Sequence, residues 1–287
     1  MVRQVSTGGA AEPVVPRPAA TVLLLRDAPD VPAGGTPLQV FLQRRVAGMA
    51  FAGGMTVFPG GGVDPGDTPD PSRWAGPDAH WWGRRLVCEP ELAGALVQAA
   101  VRETFEECGV LLAAPPGGRT TVDPVLAGVL SQGREDLVAR RRTLADLLAA
   151  TGLVLRADLL HAWARWITPP SNPRRYDTVF FTAIVPAGQE ADAATTEAVE
   201  AGWWHPAEAL DRWQDGEIEL MAPTLRTLQQ IAEFPDAASV HAAAARRVVT
   251  PMIPKVRRDG SRIVVVIPGD PEYANAVDHL RPGGRRP

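Results

Sequence analysis

Three glutamates, Glu103, Glu106 and Glu107, fall within five positions of the stretch AAVRETFEECGVLL, residues 99–112. At about 100° per residue, Val97, Val101, Phe105 and Cys108 lie within about 80° of one another and form an apolar stripe, and the three acids cluster roughly opposite over about 100° of arc. Spacings of three and four put such side chains about 5–6 Å apart at Cβ, where like charges repel by a few tenths of a kcal/mol per pair. A divalent cation would compensate for that repulsion. Carboxylate oxygens suit Mg²⁺ or Mn²⁺, and Mg²⁺ is typically held by a few carboxylates together with substrate phosphates. A solvated acidic helix face is the other reading of E-x-x-E-E taken alone. Two neighbours favour the site: Arg102 can orient a carboxylate through a bidentate pair, and Gly109 can close the helix directly after the charge cluster. Upstream, FPGGG (58–62) supplies backbone without Cβ atoms that can approach the helix or a phosphate closely.

The elements that would position these groups are legible from pattern. ATVLLLRD (to Asp27, from residue 19) and LQVFLQRR (38–45) read as strands that pair as a hairpin across a Pro/Gly-rich turn. FAGGMTVFPGGG reads as a glycine-dense loop around a short strand, and residues 64–90 as an insertion with no clear period. Helical pattern runs from Glu91 to Cys108, and a second helical region from Pro124 to Thr151, where Gly128 and Gly133 suggest more than one helix. Strands are expected at 159–167, 177–185 and 198–204, with helices at 206–214, 222–233 and 236–247. Asp259-Gly260 marks a two-residue hairpin within 255–267. The mixture is α+β: a leader at 1–18, a main domain at 19–250 with a further helical insertion at 124–158, and a C-terminal hairpin and tail at 251–287.

Composition narrows the function classes. The chain has 287 residues, is 45% hydrophobic and 22% charged, and carries a formal net charge of -4. That size allows a sizeable core, and the balance gives no electrostatic footprint for nucleic acid. The N-terminal stretch has neither a long apolar run nor a small-residue cleavage site, and no later run is long enough to span a bilayer, so a cytoplasmic location without a membrane partner is expected. Two cysteines, Cys88 and Cys108, point to reduced thiols. The five histidines show no zinc spacing, and no G-x4-G-K-[ST] loop is present. Most of the eight tryptophans fall where packing accounts for them. The basic hairpin is expected to cover a sheet edge or to mediate a homodimer.

Taken together, FPGGG…RETFEECGV resembles the Nudix box, G-x5-E-x7-R-E-U-x-E-E-x-G-U with U apolar. The match covers Arg102, Glu103, Glu106, Glu107, Gly109 and Val110, with Thr104 at an apolar position. The glycines lie about 40 residues before Arg102 instead of about 14, so residues 64–90 look inserted within the box. Counting back from Arg102, the first glutamate slot falls on Gly94. Such an interrupted box is similar to that of the subfamily containing the peroxisomal coenzyme A diphosphatases, and WITPPSNPRRYDTVFFTAIVP, EAVEAGWWHPAEAL and MAPTLRTLQQIAEF resemble the segments that follow it there.

The resemblance implies a Nudix fold, an α/β/α sandwich around a mixed β-sheet, here with the box insertion and extra C-terminal helices and hairpin. It implies hydrolysis of a nucleoside diphosphate linked to another moiety, with Mg²⁺ or Mn²⁺ as cofactor. Glu103 and Glu107 are the expected metal ligands, with Glu106 a third, and Arg102 would orient Glu103. Glu103 is also the candidate base, with Glu197 and Glu200 as competitors for that role or as extra metal ligands. FLQRR (41–45) and GMTVFPGG (54–61) fit the two ends of a coenzyme A recognition motif, but its internal arginine slot is Ala50. Gly60, Gly61, Arg44, Arg45 and Arg175 are therefore candidate substrate-binding residues, with Arg174 and Asp177 alongside. Coenzyme A or acyl-coenzyme A, cleaved to 3′,5′-ADP and a phosphopantetheine, is the expected substrate. ADP-ribose, a dinucleotide, or a Nudix-fold binding module without turnover are the alternatives. The C-terminal GGRRP is not an S-K-L address, so a peroxisomal location is not carried over.

Overall fold

Strand β1 (Arg17–Asp27) is almost wholly buried and divides its side chains between two cores: Ala20, Val22 and Leu24 face one, Leu23 and Leu25 the other. A strand covered on both faces needs such a continuous apolar run. The computed structural model describes residues 14–31, 35–48, 52–118, 124–194, 198–260 and 262–277. After β1 come β2 (Leu38–Arg45), β3 (Thr56–Val57), β4 (Gly60–Gly62), β5 (Trp74–Ala75), helices α1 (Ala79–Leu86) and α2 (Pro90–Cys108), and β6 (Ala113–Ala114). Then follow α3 (Pro124–Val138), α4 (Leu144–Thr151), β7 (Val154–Arg156), β8 (His161–Ile167), β9 (Tyr176–Ile184) and β10 (Ala198–Trp204). Helices α5 (Pro206–Gln214), α6 (Ala222–Ile231) and α7 (Ala237–Arg246) precede β11 (Pro251–Met252), β12 (Lys255–Asp259) and β13 (Arg262–Val266).

The main sheet has the order β10-β2-β1-β9-β8-β11, with β3 hydrogen-bonded to β2 and β4 to β1. β1 runs parallel to β9 and β8 parallel to β11, and the other pairings are antiparallel, so the sheet is mixed. Helices α1 to α4 pack on one face around Leu96, Val97, Val101 and Phe105, and α5 to α7 on the other around Leu228, Ile231 and Val240. This is the expected α/β/α sandwich, and β1 and β2 pair as expected.

Four local expectations need correction. Residues 64–90 are not structureless: they hold β5 and α1, the latter started by the Asp78 carboxylate accepting from Trp81 N and burying Trp82 and Leu86. Eight residues are too few for a helical period to show in the sequence. The second helical region does break in two, but at 139–143, where Thr143 and Asp146 form a capping box, and not at Gly128 or Gly133. Gly133 stays within α3 because Leu147 leaves no room for a side chain there. The strand expected from 159 begins at His161 after a short 3₁₀ turn. The C-terminal hairpin forms as expected around Gly260, with φ of +58°, yet β12 and β13 pair with each other and bridge to Val277, leaving the main sheet's edges uncovered by them. A separate small sheet, β5-β7-β6, joins the 64–90 segment to the strand that follows α4. Cys88 and Cys108 are free thiols, and among the described residues no helix is long and apolar enough to cross a membrane.

Candidate active site

Helix α2 starts with Pro90 in its first turn and ends at Gly109, whose φ of +73° lets its N–H reach the Phe105 carbonyl. Its apolar side packs on the sheet, but the acidic side is not in water. Glu107 is only 4% exposed, because β2 and the glycine turn of β4 lie over it. The solvated-face alternative therefore fails for this residue.

Arg102 organises the cluster. Its guanidinium, 7% exposed, bonds Asp67 with both Nε and Nη2 at 2.9 Å, Glu103 at 2.8 Å, Glu106 at 3.4 Å and the Gly62 carbonyl at 2.9 Å. Burial works against its charge, but the bond to Asp67 and the charges of Glu103, Asp67 and Glu106 outweigh this and raise its pKa. Asp67 was missed by the sequence reading, and counting forward finds it: it stands six residues after Gly61, the G-x5-acid spacing of the box. This spacing and its two bonds to Arg102 make Asp67 a candidate for the first acid of the box. Gly94, the slot found by counting back, holds no acid because Pro69 packs against it: a Cβ there would sit 2.6 Å from Pro69 Cγ.

The glycine turn meets the two other carboxylates. Gly60, at φ of +153°, donates its N–H to Glu107 Oε2 at 2.7 Å, and a Cβ on Gly60 would collide with the Ala20 carbonyl and Thr21. A Cβ on Gly61 would run into the Glu103 carboxylate. Gln43 of β2 donates a second bond of 2.7 Å to Glu107 Oε2. Burial pushes Glu103 up to about 7, with Arg102 opposing and Glu106 adding to the rise. Burial and then the charge of Glu103 push Glu107 up to about 8, against the pull of the Gly60 amide, Arg45 and Gln43. Burial also raises Glu106. Its backbone carbonyl is tied to α3 by Arg134 Nε at 3.0 Å, and Arg134 in turn pairs with Asp192 at 2.7 Å.

Among the remaining candidates, Arg45 lies near enough for its charge to favour ionised Glu107. Arg44 instead pairs across the strands with Glu200 at 3.5 Å, both side chains 42% exposed, at the end of β2 and β10. Arg175 is spent on the carbonyls of Thr168 and Val14, and Asp177 on Arg165, so neither joins the carboxylate cluster. Glu197 and Ala50 lie outside the described residues.

The donor set fits a hard cation. Glu103 and Glu107 are buried oxygen donors set against one glycine turn, and burial raises the proton affinity of both, so a cation held between them would favour their ionised forms. Glu106 does not complete a trio, since among the described residues no three His, Cys, Asp or Glu side chains gather as a metal cluster.

This fold and this interrupted box are of the Nudix kind, and comparison with known proteins agrees: residues 90–231, just under half of the chain, match the NUDT19 Nudix domain, so the chain is similar to the Nudix hydrolases. It is similar to the acyl-coenzyme A diphosphatase NUDT19 of Homo sapiens, with 29% identity over 196 residues, covering 63% of this chain and 51% of that protein. The Gallus gallus protein of the same name is 26% identical over 308 residues, covering 92% of this chain and 81% of that one. The chain thus spans about half the length of the human relative, and 81% of the chicken one. The crystal structure of a NUDIX hydrolase from Alicyclobacillus acidocaldarius superposes with a TM-score of 0.60 at 29% identity, covering 79% of this chain and 96% of that one.

Proposed function

We propose that the chain hydrolyses the diphosphate bond of coenzyme A or its acyl derivatives, giving 3′,5′-ADP and an (acyl-)phosphopantetheine, with Mg²⁺ or Mn²⁺ as cofactor. The observation that carries the chemistry is the buried pair Glu103 and Glu107 against the Gly60-Gly61 turn. A divalent cation held there supplies neutralisation of the diphosphate charge and activation of water. Glu103 and Glu107 would hold it. Arg102, fixed by Asp67, keeps Glu103 in place and remains protonated throughout. Glu103, set against the Gly60-Gly61 turn beside Glu107, is the base in this reading. Arg45, whose charge acts on Glu107, would meet a phosphate. Exposed Glu200 is paired with Arg44 and is the weaker base candidate. The substrate follows the name of the relatives, acyl-coenzyme A diphosphatase.

Purified protein incubated with coenzyme A, ADP-ribose, NADH or 8-oxo-dGTP, with and without Mn²⁺, tests this reading. Turnover of coenzyme A that needs Mn²⁺ is expected, and Glu107→Gln lowers it by about 100-fold or more, as loss of a group essential to the transition state does. Cleavage of ADP-ribose without coenzyme A would overturn the substrate, and tight binding with no products would overturn the enzyme.

A further inference from the structure

Gln43 is a polar residue in a strand position that otherwise belongs to the core. It is 1% exposed, it sits opposite Ala201 of β10 and Val57 of β3, and strand alternation puts it on the same face as buried Phe41. Its Nε2 and the Gly60 amide both donate to Glu107 Oε2, each at 2.7 Å, so Oε1 of that carboxylate receives neither. The amide's own Oε1 is buried with no hydrogen-bond partner among the described residues. A buried acceptor left without a donor costs on the order of 1–3 kcal/mol, and an aliphatic side chain would fill this position without that penalty. An amide turned with its donor onto a carboxylate and its acceptor unmet is what a site for a cation and its water requires.

We propose that Gln43 is a positioning residue of the cation site: its NH₂ group, with the Gly60 amide, turns Glu107 so that Oε1 is left for the cation, and its carbonyl oxygen adds to the same donor set, directly or through a coordinated water. The inference rests on the divalent-cation reading given above. Neither the box nor the glycine turn contains this residue; it comes from β2, which reaches the carboxylates only through the fold.

Calorimetric titration of Mn²⁺ into the substrate-free protein tests it, with thermal unfolding of each metal-free variant as the check on folding. Gln43→Met is expected to weaken Mn²⁺ binding about 10–100-fold, the usual effect of losing a group that orients a metal ligand. Gln43→Leu, which likewise has neither the NH₂ donor nor the carbonyl acceptor, is expected to weaken Mn²⁺ binding to the same degree. Gln43→Met binding within twofold of the parent while Glu107→Gln loses binding overturns the role of Gln43 and leaves the cation site standing. Absence of Mn²⁺ binding by the parent protein, with coenzyme A present or not, overturns the cation site and this inference with it. Should Gln43→Met not fold, Gln43→Leu decides, and Mn²⁺ binding within twofold of the parent in it overturns the proposal.

Discussion

Replacing Asp67 by asparagine tests how the interrupted box is held together. Asp67 is 3% exposed and gives one oxygen to each of two Arg102 nitrogens at 2.9 Å, while also accepting from the Asp64 amide at 2.8 Å. Asparagine keeps one acceptor but turns an NH₂ group toward the guanidinium, so a charge-assisted bond is lost and a buried cation loses its best partner. Breaking a buried pair from one side costs about 3–5 kcal/mol. Arg102 retains Glu103 at 2.8 Å and the Gly62 carbonyl at 2.9 Å, which places the expected loss at the lower end, about 3 kcal/mol. At roughly 2–4 °C per kcal/mol for a chain of this size, Tm falls by about 6–12 °C. The urea midpoint should fall with an unchanged slope, since the surface exposed on unfolding is the same. Turnover should drop too, because Arg102 loses the partner that fixes its guanidinium beside Glu103. A urea-derived stability within about 0.5 kcal/mol of the parent would falsify the claim that Asp67 is the first acid of the box.

The metal-free protein should lose stability as pH rises. Glu103 and Glu107 bind their protons more tightly folded than unfolded, so their contribution is complete below the ordinary value of 4.5 and is lost as pH climbs through about 7 and about 8. Thermal melts from pH 5 to 8.5 with chelator, then with Mg²⁺, check this: the decline should be present without metal and largely removed with it, and a flat chelator profile contradicts it. Gly94→Ala gains up to about 1 kcal/mol of helix preference but forces a Cβ to 2.6 Å from Pro69 Cγ, and overpacking typically costs about 1–3 kcal/mol. Net destabilisation by denaturant titration is expected, and a stabilised variant would show that Pro69 does not close this slot.

What the sequence made legible follows from the range of the forces involved. Long segments with strong period, such as β1, β2 and α2, were readable because each carries its own buried face. The short pieces β5 to β7 and α1 are stabilised by one another across the fold, so no local pattern announces them. The burial of Glu107 was invisible for a related reason: helical period locates the apolar stripe, but the cover over the acids comes from Gln43 and Gly60, 64 and 47 residues away. Asp67 was in reach, since its spacing from Gly61 is uninterrupted, whereas counting from Arg102 crosses the insertion. Gln43 left a trace as well: in LQVFLQRR it takes the inward register of Phe41, where a polar side chain needs a reason. For Arg175 the sequence offered only a charge in a segment with a familiar look, and the fold uses it to tie loop carbonyls.

The small sheet β5-β7-β6 couples two stretches that lie far apart along the chain. β7 carries Leu155, 1% exposed, and takes Trp74 of β5 as one neighbour and Ala113 of β6, shortly after α2, as the other. Excising the first insert would bare that leucine and leave an open strand edge of the kind that invites aggregation. A deletion in either stretch thus strips hydrogen-bonded support from the other, and neither can be shortened alone while this sheet stays whole.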